Sequence, residues 1–206
     1  MSILPVRLEQ TKFQESARRS NSIAEPRLYI ISGPSGAGKG TIVQRLLEER
    51  PDTRLSVSCT TRPARPMEKE GVHYFFISER EFAERRDRGE FLEWAEVHGN
   101  MYGTPRKVVD GLLSEGYDVI LEIDVQGAAE VKSAMPGARL IFIEAPSMQI
   151  LEQRLRRRST ELEDAQVRRL SDAYDELRKK ESFDGVVVNV EVEQAVKEVL
   201  ALMDSR

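Results

Sequence analysis

The stretch Gly33-Pro34-Ser35-Gly36-Ala37-Gly38-Lys39-Gly40-Thr41 constrains this chain more than any other. It follows the apolar run Leu28-Tyr29-Ile30-Ile31, which reads as a buried strand. It precedes Ile42, Val43, Leu46 and Leu47, which fall on one helix face. A glycine-rich turn between strand and helix is the setting of a phosphate-binding loop. Glycines let the backbone turn its N–H groups into a concavity that no Cβ obstructs. The helix N-terminus adds partial positive charge, and Lys39 brings a full one to the outer phosphates of a bound ligand. The usual pattern puts Ser or Thr directly after the Lys to touch magnesium. Here Gly40 stands there and Thr41 follows, which leaves the Mg2+ contact unassigned.

The 206 residues suffice for one α/β domain with an inserted piece. A net charge of -4 argues against a general nucleic-acid-coating surface. No apolar run approaches ~18 residues, so no membrane span is expected. Cys59 is the single cysteine, which rules out an internal disulfide and fits a cytoplasmic protein. Residues 1–25 carry no sustained period and no continuous apolar stretch of the secretory kind, and read as a poorly ordered extension.

Beyond the glycine-rich loop, Leu55-Ser56-Val57 alternates as a short strand. Residues from about 58 to 102 then lose the parallel-sheet rhythm. A Pro-rich turn leads to a strand at His73-Tyr74-Phe75-Phe76, a helix opened by Ser78-Glu79-Arg80-Glu81, and a strand from Phe91 to Val97. Thr104 is expected to cap, and Pro105 to begin, a helix whose apolar face is Val108, Val109, Leu112 and Leu113. Buried strands follow at Val119–Ile123, Leu140–Ile143 and Val186–Val188, with helices between and after them. One of these carries Val167, Leu170, Tyr174 and Leu177 at helical spacing. The fold class is α/β: a doubly wound parallel sheet with its core in 26–57 and 103–206, a small α+β insert at about 58–102, and a helical lid at about 154–169. Ligands are expected at the strand C-terminal ends, where Gly33, Ser58 and Asp124 fall.

Several smaller groups carry chemistry. Arg62 and Arg65, three apart in a Pro-constrained turn, form a fork for one phosphate or else a solvated basic loop. Glu93 precedes Trp94, Tyr102-Gly103-Thr104 follows, and Asp124 ends Glu122-Ile123-Asp124. Trp94 reads as core. Cys59 reads as a packed residue near enough to the acceptor side for thiol modification. Asn189, after the last strand, is a candidate adenine contact.

From Leu28 to the C-terminus the chain resembles guanylate kinases. The resemblance rests on the Ser-x-Thr-Thr-Arg-x-x-Arg run at Ser58–Arg65, the Glu93-Trp94 and Tyr102-Gly103-Thr104 pair, Asp124-x-Gln126-Gly127, and the Gly-Lys-Gly-Thr loop ending. It implies transfer of the γ-phosphoryl of ATP to GMP with Mg2+. It implies a GMP-phosphate clamp of Arg62, Arg65 and Tyr74 with Tyr102 beside it, guanine readers Glu93 and Asp124, and hydroxyl partners Ser58 and Thr104. It also implies charge-cancelling Lys39, Arg154, Arg158 and Arg169. The chemistry agrees, because guanine N1–H and N2 amine are donors and carboxylates only accept. A kinase of another small molecule on this scaffold, a phosphopeptide-binding module without catalysis, and a nucleic-acid-binding protein are the rivals. The intact donor loop weighs against the binding module, Glu93, Thr104 and Asp124 weigh against the other kinase, and the lack of a basic face by composition weighs against nucleic-acid binding.

Overall fold

The computed structural model describes residues 27–97, 99–158 and 163–205, and for 157, 158 and 163–169 the backbone only. In chain order the elements are β1 (Leu28–Ser32), α1 (Lys39–Glu49), β2 (Thr53–Leu55), β3 (Cys59–Thr60), β4 (Phe75–Phe76), α2 (Glu79–Asp87), β5 (Phe91–Val97), β6 (Asn100–Pro105), α3 (Arg106–Ser114), β7 (Asp118–Glu122), α4 (Val125–Ala134), β8 (Arg139–Glu144), α5 (Met148–Arg158), α6 (Glu163–Arg178), β9 (Gly185–Val188) and α7 (Val192–Asp204).

Two sheets share the chain. The first is wholly parallel in the order β2-β7-β1-β8-β9. Its central strand β1 is buried along its length, which explains the unbroken apolar run. Successive β1 side chains point to opposite faces. Tyr29 and Ile31 pack with Ile42, Val43 and Leu46 of α1 and with Val196, Val199 and Met203 of α7. Leu28 and Ile30 pack with Val109 of α3 and Ala128 and Val131 of α4. The Tyr29 hydroxyl donates to the Met203 carbonyl at 3.0 Å, so the one polar group in this layer is satisfied.

The second sheet has the order β4-β3-β6-β5 and is antiparallel except for β3 with β4. Its own small core holds Cys59, Phe82 and Phe91, the two rings stacked at 4.5 Å. The sheet extends to Pro105, beyond the expected limit at residue 102. Thr104 is therefore a strand residue, not a helix cap, and Pro105 takes the cap position without a side-chain hydrogen bond. Cross-strand pairing with β5 outweighs the local cap signal here. Tyr74 lies outside β4 and joins by an isolated bridge to Glu70. Trp94 is 38% exposed beneath the Arg86 guanidinium and is not core. On α6, Ala173 is buried and Tyr174 is exposed, the reverse of what the helical spacing implied. Among the described residues no helix is long and apolar enough to cross a membrane.

At the end of β1 the backbone leaves the sheet through Gly33, whose φ is 133°. A Cβ there would drive into the Ile143 carbonyl oxygen of β8. Gly33→Ala is thus expected to lower the melting temperature by several degrees and to weaken nucleotide binding together. A thermal melt with and without ATP checks this, and a variant with wild-type values for both would contradict the assigned close approach.

Candidate active site

The sheets meet at a cavity of about 280 Å3. Its lining includes Gly33, Pro34, Ser35, Gly36, Gly38, Lys39 and Gly40 from the glycine-rich loop. Ser58, Arg65, Tyr74, Glu93 and Tyr102 come from the second sheet side, and Glu122 and Asp124 from the end of β7. Two carboxyl residues the sequence did not single out for the site, Glu122 and Glu176, line it too.

The loop is held by its carbonyls. The Lys39 ammonium donates to the carbonyls of Gly33 and, at 3.2 Å, Pro34. The Ala37 carbonyl accepts from Asn189 Nδ2 at 2.7 Å and from an Arg154 guanidinium N–H at 3.4 Å. Asn189 is buried beneath the loop, which replaces the expected adenine contact with a supporting one. Arg154 also donates to the Asn189 carbonyl at 3.2 Å. Ala37 is fully buried and Thr41 is exposed, and neither lines the cavity. The side chains of Arg158 and Arg169 lie outside the described residues.

The two arginines of the turn do not form one fork. Arg62 gives its Nη1 and Nη2 groups to Glu68 at 2.8 and 2.9 Å, Nη1 again to the Pro63 carbonyl, and Nε to the Tyr102 hydroxyl at 3.2 Å. That engages all but one of its N–H groups. Arg65, 63% exposed at its side chain, lies no closer than 4.0 Å to Glu68 and lines the cavity, whereas Arg62 does not. Glu68 also accepts the Arg65 backbone N–H at 2.8 Å, so one carboxylate sets the whole turn. Its pKa is held down by the Arg62 hydrogen bonds. Sequence reasoning passed over Glu68, because nothing local marks it as a partner of the arginine six residues before it.

Glu93 is 5% exposed and accepts the Thr104 hydroxyl at 2.5 Å. The Thr104 oxygen lies 3.3 Å from the Ser58 hydroxyl, so three polar side chains from β5, β6 and the β3 approach form one array. Glu93 fits because residue 127 is glycine: a Cβ there would sit 2.5 Å from Oε2. Burial pushes the Glu93 carboxyl up to about 7, against the Thr104 hydrogen bond and with help from the Asp124 charge. Asp124 stands at the N-terminus of α4, where its Oδ1 accepts the Gly127 N–H at 2.7 Å. Tyr74 is pushed up to about 12 by burial and by Glu122, so it is a neutral hydroxyl donor. Cys59 is fully buried and pushed up to about 11 by that burial, which removes the thiolate that modification needs.

Gly40 leaves an opening where a side chain would stand. Its missing Cβ would lie 3.6 and 3.7 Å from the Glu122 carboxylate oxygens. Among the described residues no group of three or more carboxylate, His or Cys side chains forms a metal cage. One carboxylate beside a phosphate loop suits Mg2+, which keeps waters and takes most of its protein-side charge from one or two carboxylates plus substrate phosphates.

A parallel sheet with a glycine-rich loop at the end of its central strand, facing a second sheet whose buried carboxylate Glu93 shares the cavity with an arginine, defines a phosphate-loop kinase of a small nucleotide. Residues 25–206 match the sequence profile of the family described as guanylate kinase. A guanylate kinase of Streptomyces coelicolor is 50% identical over 179 residues, covering 87% of this chain and 91% of that protein. One of Symbiobacterium thermophilum is 49% identical over 176 residues, 85% and 83% of the two chains. Among solved structures, guanylate kinase from Anaplasma phagocytophilum aligns with a TM-score of 0.72 at 34% identity over 88% of this chain and 86% of that one. The chain belongs to the guanylate kinase family.

The raised carboxyls have a consequence for the ligand-free protein. Glu93 and Glu176 bind protons more tightly folded than unfolded, both moving from 4.5 to about 7. Their contribution to stability is full below about 4.5 and is lost as pH rises through about 7. Thermal melts of the ligand-free protein should therefore fall between pH 5 and 8, and a Glu93→Gln, Glu176→Gln double variant should flatten that fall. An unaltered slope would contradict the burial assigned to both.

Proposed function

We propose that the chain transfers the γ-phosphoryl group of ATP to GMP, giving ADP and GDP, with Mg2+ and in the cytoplasm. The observation that carries the reading is a buried, hydroxyl-bonded carboxylate, Glu93, in the same cavity as a phosphate-binding loop. The loop residues Gly33 to Thr41 take the ATP phosphates. Lys39 leaves the Gly33 and Pro34 carbonyls for the outer phosphates. Arg65 forks the GMP phosphate, and Tyr74 and Tyr102 donate their hydroxyls to it. Arg62 gives that phosphate its one remaining N–H and, by donating to the Tyr102 oxygen, leaves the phenol O–H for the ligand. Glu93 and Asp124 accept from guanine N1–H and N2, with Ser58 and Thr104 at the O6 edge.

The acceptor is already an oxyanion, so the transfer needs placement and charge cancellation and no general base. Magnesium-bound ATP and GMP together bring about four negative charges. Lys39, Arg62, Arg65, Arg154, Arg158 and Arg169 answer them, Arg154 by exchanging the Ala37 and Asn189 carbonyls for phosphate oxygens. Glu122 is the residue that would hold Mg2+, whose chemistry is to neutralise charge on the bridging phosphates.

With ATP, kcat/KM for GMP should exceed that for AMP by roughly 10⁴-fold, because adenine leaves a buried carboxylate unpaired. The GMP value should fall as pH drops below about 7, where Glu93 takes a proton and can no longer accept from both guanine donors. Glu93→Gln should lose that acid limb and roughly tenfold to hundredfold in kcat/KM, from a charged hydrogen bond of about 1.5–3 kcal/mol. A coupled ADP-release assay across nucleoside monophosphates and pH decides it, and equal use of GMP and AMP would overturn the reading.

The arginines should separate. Arg65→Lys should raise KM for GMP with the melting temperature unchanged, since a point charge replaces a planar fork. Arg62→Lys should raise KM and lower the melting temperature together, since its fork holds Glu68. Identical behaviour of the two variants in GMP titrations and melts would contradict this division.

A further inference from the structure

One carboxyl in the cavity has no part in the scheme above. Glu176, on α6, lines the wall shared with Gly33, Lys39 and Asp124. Its Oε2 is buried with no hydrogen-bond partner among the described residues. The charges that bear on it most are Lys39 from α1 and Asp124 at the start of α4, then Asp172 on its own helix and Lys179 just beyond it. Two of these favour the ionised form and two oppose it. The ammonium of Lys39 is turned to the loop carbonyls and leaves Glu176 unsatisfied. A buried polar oxygen without a partner is costly, so the loaded site must supply one or remove the charge.

The occupants of this cavity settle which. Resting on its assignment to ATP and GMP, the space beside Glu176 fills with phosphate oxygens, which only accept hydrogen bonds. An ionised carboxylate there repels them, whereas a neutral carboxyl donates to them. We propose that Glu176 works as a neutral carboxyl in the loaded site: when both nucleotides bind, it takes one proton from solvent and donates that O–H to a phosphate oxygen. Burial has already raised the group to about 7, so the added proton is cheap at neutral pH and the phosphates raise it further. Glu93 is driven the opposite way, because guanine donors require its ionised form. Two carboxyls in one cavity thereby hold opposite protonation states, each set by the atoms facing it.

The test is calorimetric. GMP is titrated at pH 8 into protein carrying Mg2+ and a non-hydrolysable ATP analogue, in two buffers of different ionisation enthalpy. Wild type should take up close to one proton more per complex than Glu176→Gln, because a group with pKa about 7 is mostly ionised at pH 8 before binding. The substrates' own titration and that of Glu93 are common to both proteins and cancel. Wild-type GMP affinity should also fall about fivefold from pH 7 to pH 8 relative to the variant. Equal proton uptake in the two proteins overturns the proposal. Should the variant fail to fold, an infrared difference spectrum of wild type at pH 8 serves instead. Nucleotide binding should add a protonated-carboxyl band, which Glu93 cannot provide, and its absence overturns the proposal. Absence of GMP binding and turnover in wild type would bring down the reading of the cavity and this inference with it. Normal turnover with equal uptake would remove only the role of Glu176.

Discussion

The structure depends on keeping the carbonyls of one loop occupied. A loop that binds anions must keep its carbonyl oxygens away from them, and every buried carbonyl needs a donor. Here the donors come from distant parts of the chain: Lys39 for Gly33 and Pro34, and Asn189 after β9 and Arg154 of α5 for Ala37. The loop therefore keeps its shape only when β1, β8 and β9 are in register and α5 is docked. This ties the shape of the glycine-rich loop to the integrity of the whole parallel sheet, and it leaves Lys39 and Arg154 on carbonyl partners.

The second sheet solves the complementary problem. The guanine reading proposed for Glu93 asks for a carboxylate dry enough to discriminate and satisfied enough to persist. β5 supplies Glu93, β6 supplies the Thr104 hydroxyl that bonds it, and Gly127 of α4, having no side chain, leaves room for it. The residual strain of burial appears as a raised pKa, held there by desolvation and Asp124. Arg62 is likewise committed before any ligand arrives, through Glu68 and Tyr102, so the acceptor side is preorganised by internal ion pairing. Arg65 remains the adaptable partner.

Much of this was legible in the linear chain. The unbroken apolar runs at Leu28–Ile31, Val119–Leu121 and Leu140–Ile143 report strands buried on both faces, and alternation with helical segments gave the doubly wound class. The glycine-rich loop announced phosphate binding, because its requirement is local: small residues, a Lys and a helix start. What failed failed where a long-range contact competed with a local signal. Thr104-Pro105 looks like a helix start, yet its pairing with Phe91 and Glu93 of β5 keeps it in a strand. Tyr174 fits a helical stripe, yet it is exposed and Ala173 is buried instead.

The sequence by itself determined the fold class, set a glycine-rich loop between strand and helix, and offered the polar residues proposed for the site, since these follow from periodicity, backbone permissiveness and the donor–acceptor chemistry of individual side chains. Only the tertiary structure decided how those residues divide their work. It committed Arg62 to Glu68 and left Arg65 to the cavity, turned Asn189 under the loop, buried Cys59 beyond reaction, and brought Glu122 and Glu176 to the cavity wall. The physical reason is that hydrogen-bond commitments and desolvation depend on neighbours tens of residues away, and no local pattern records which of two similar side chains will be already engaged when the chain has folded.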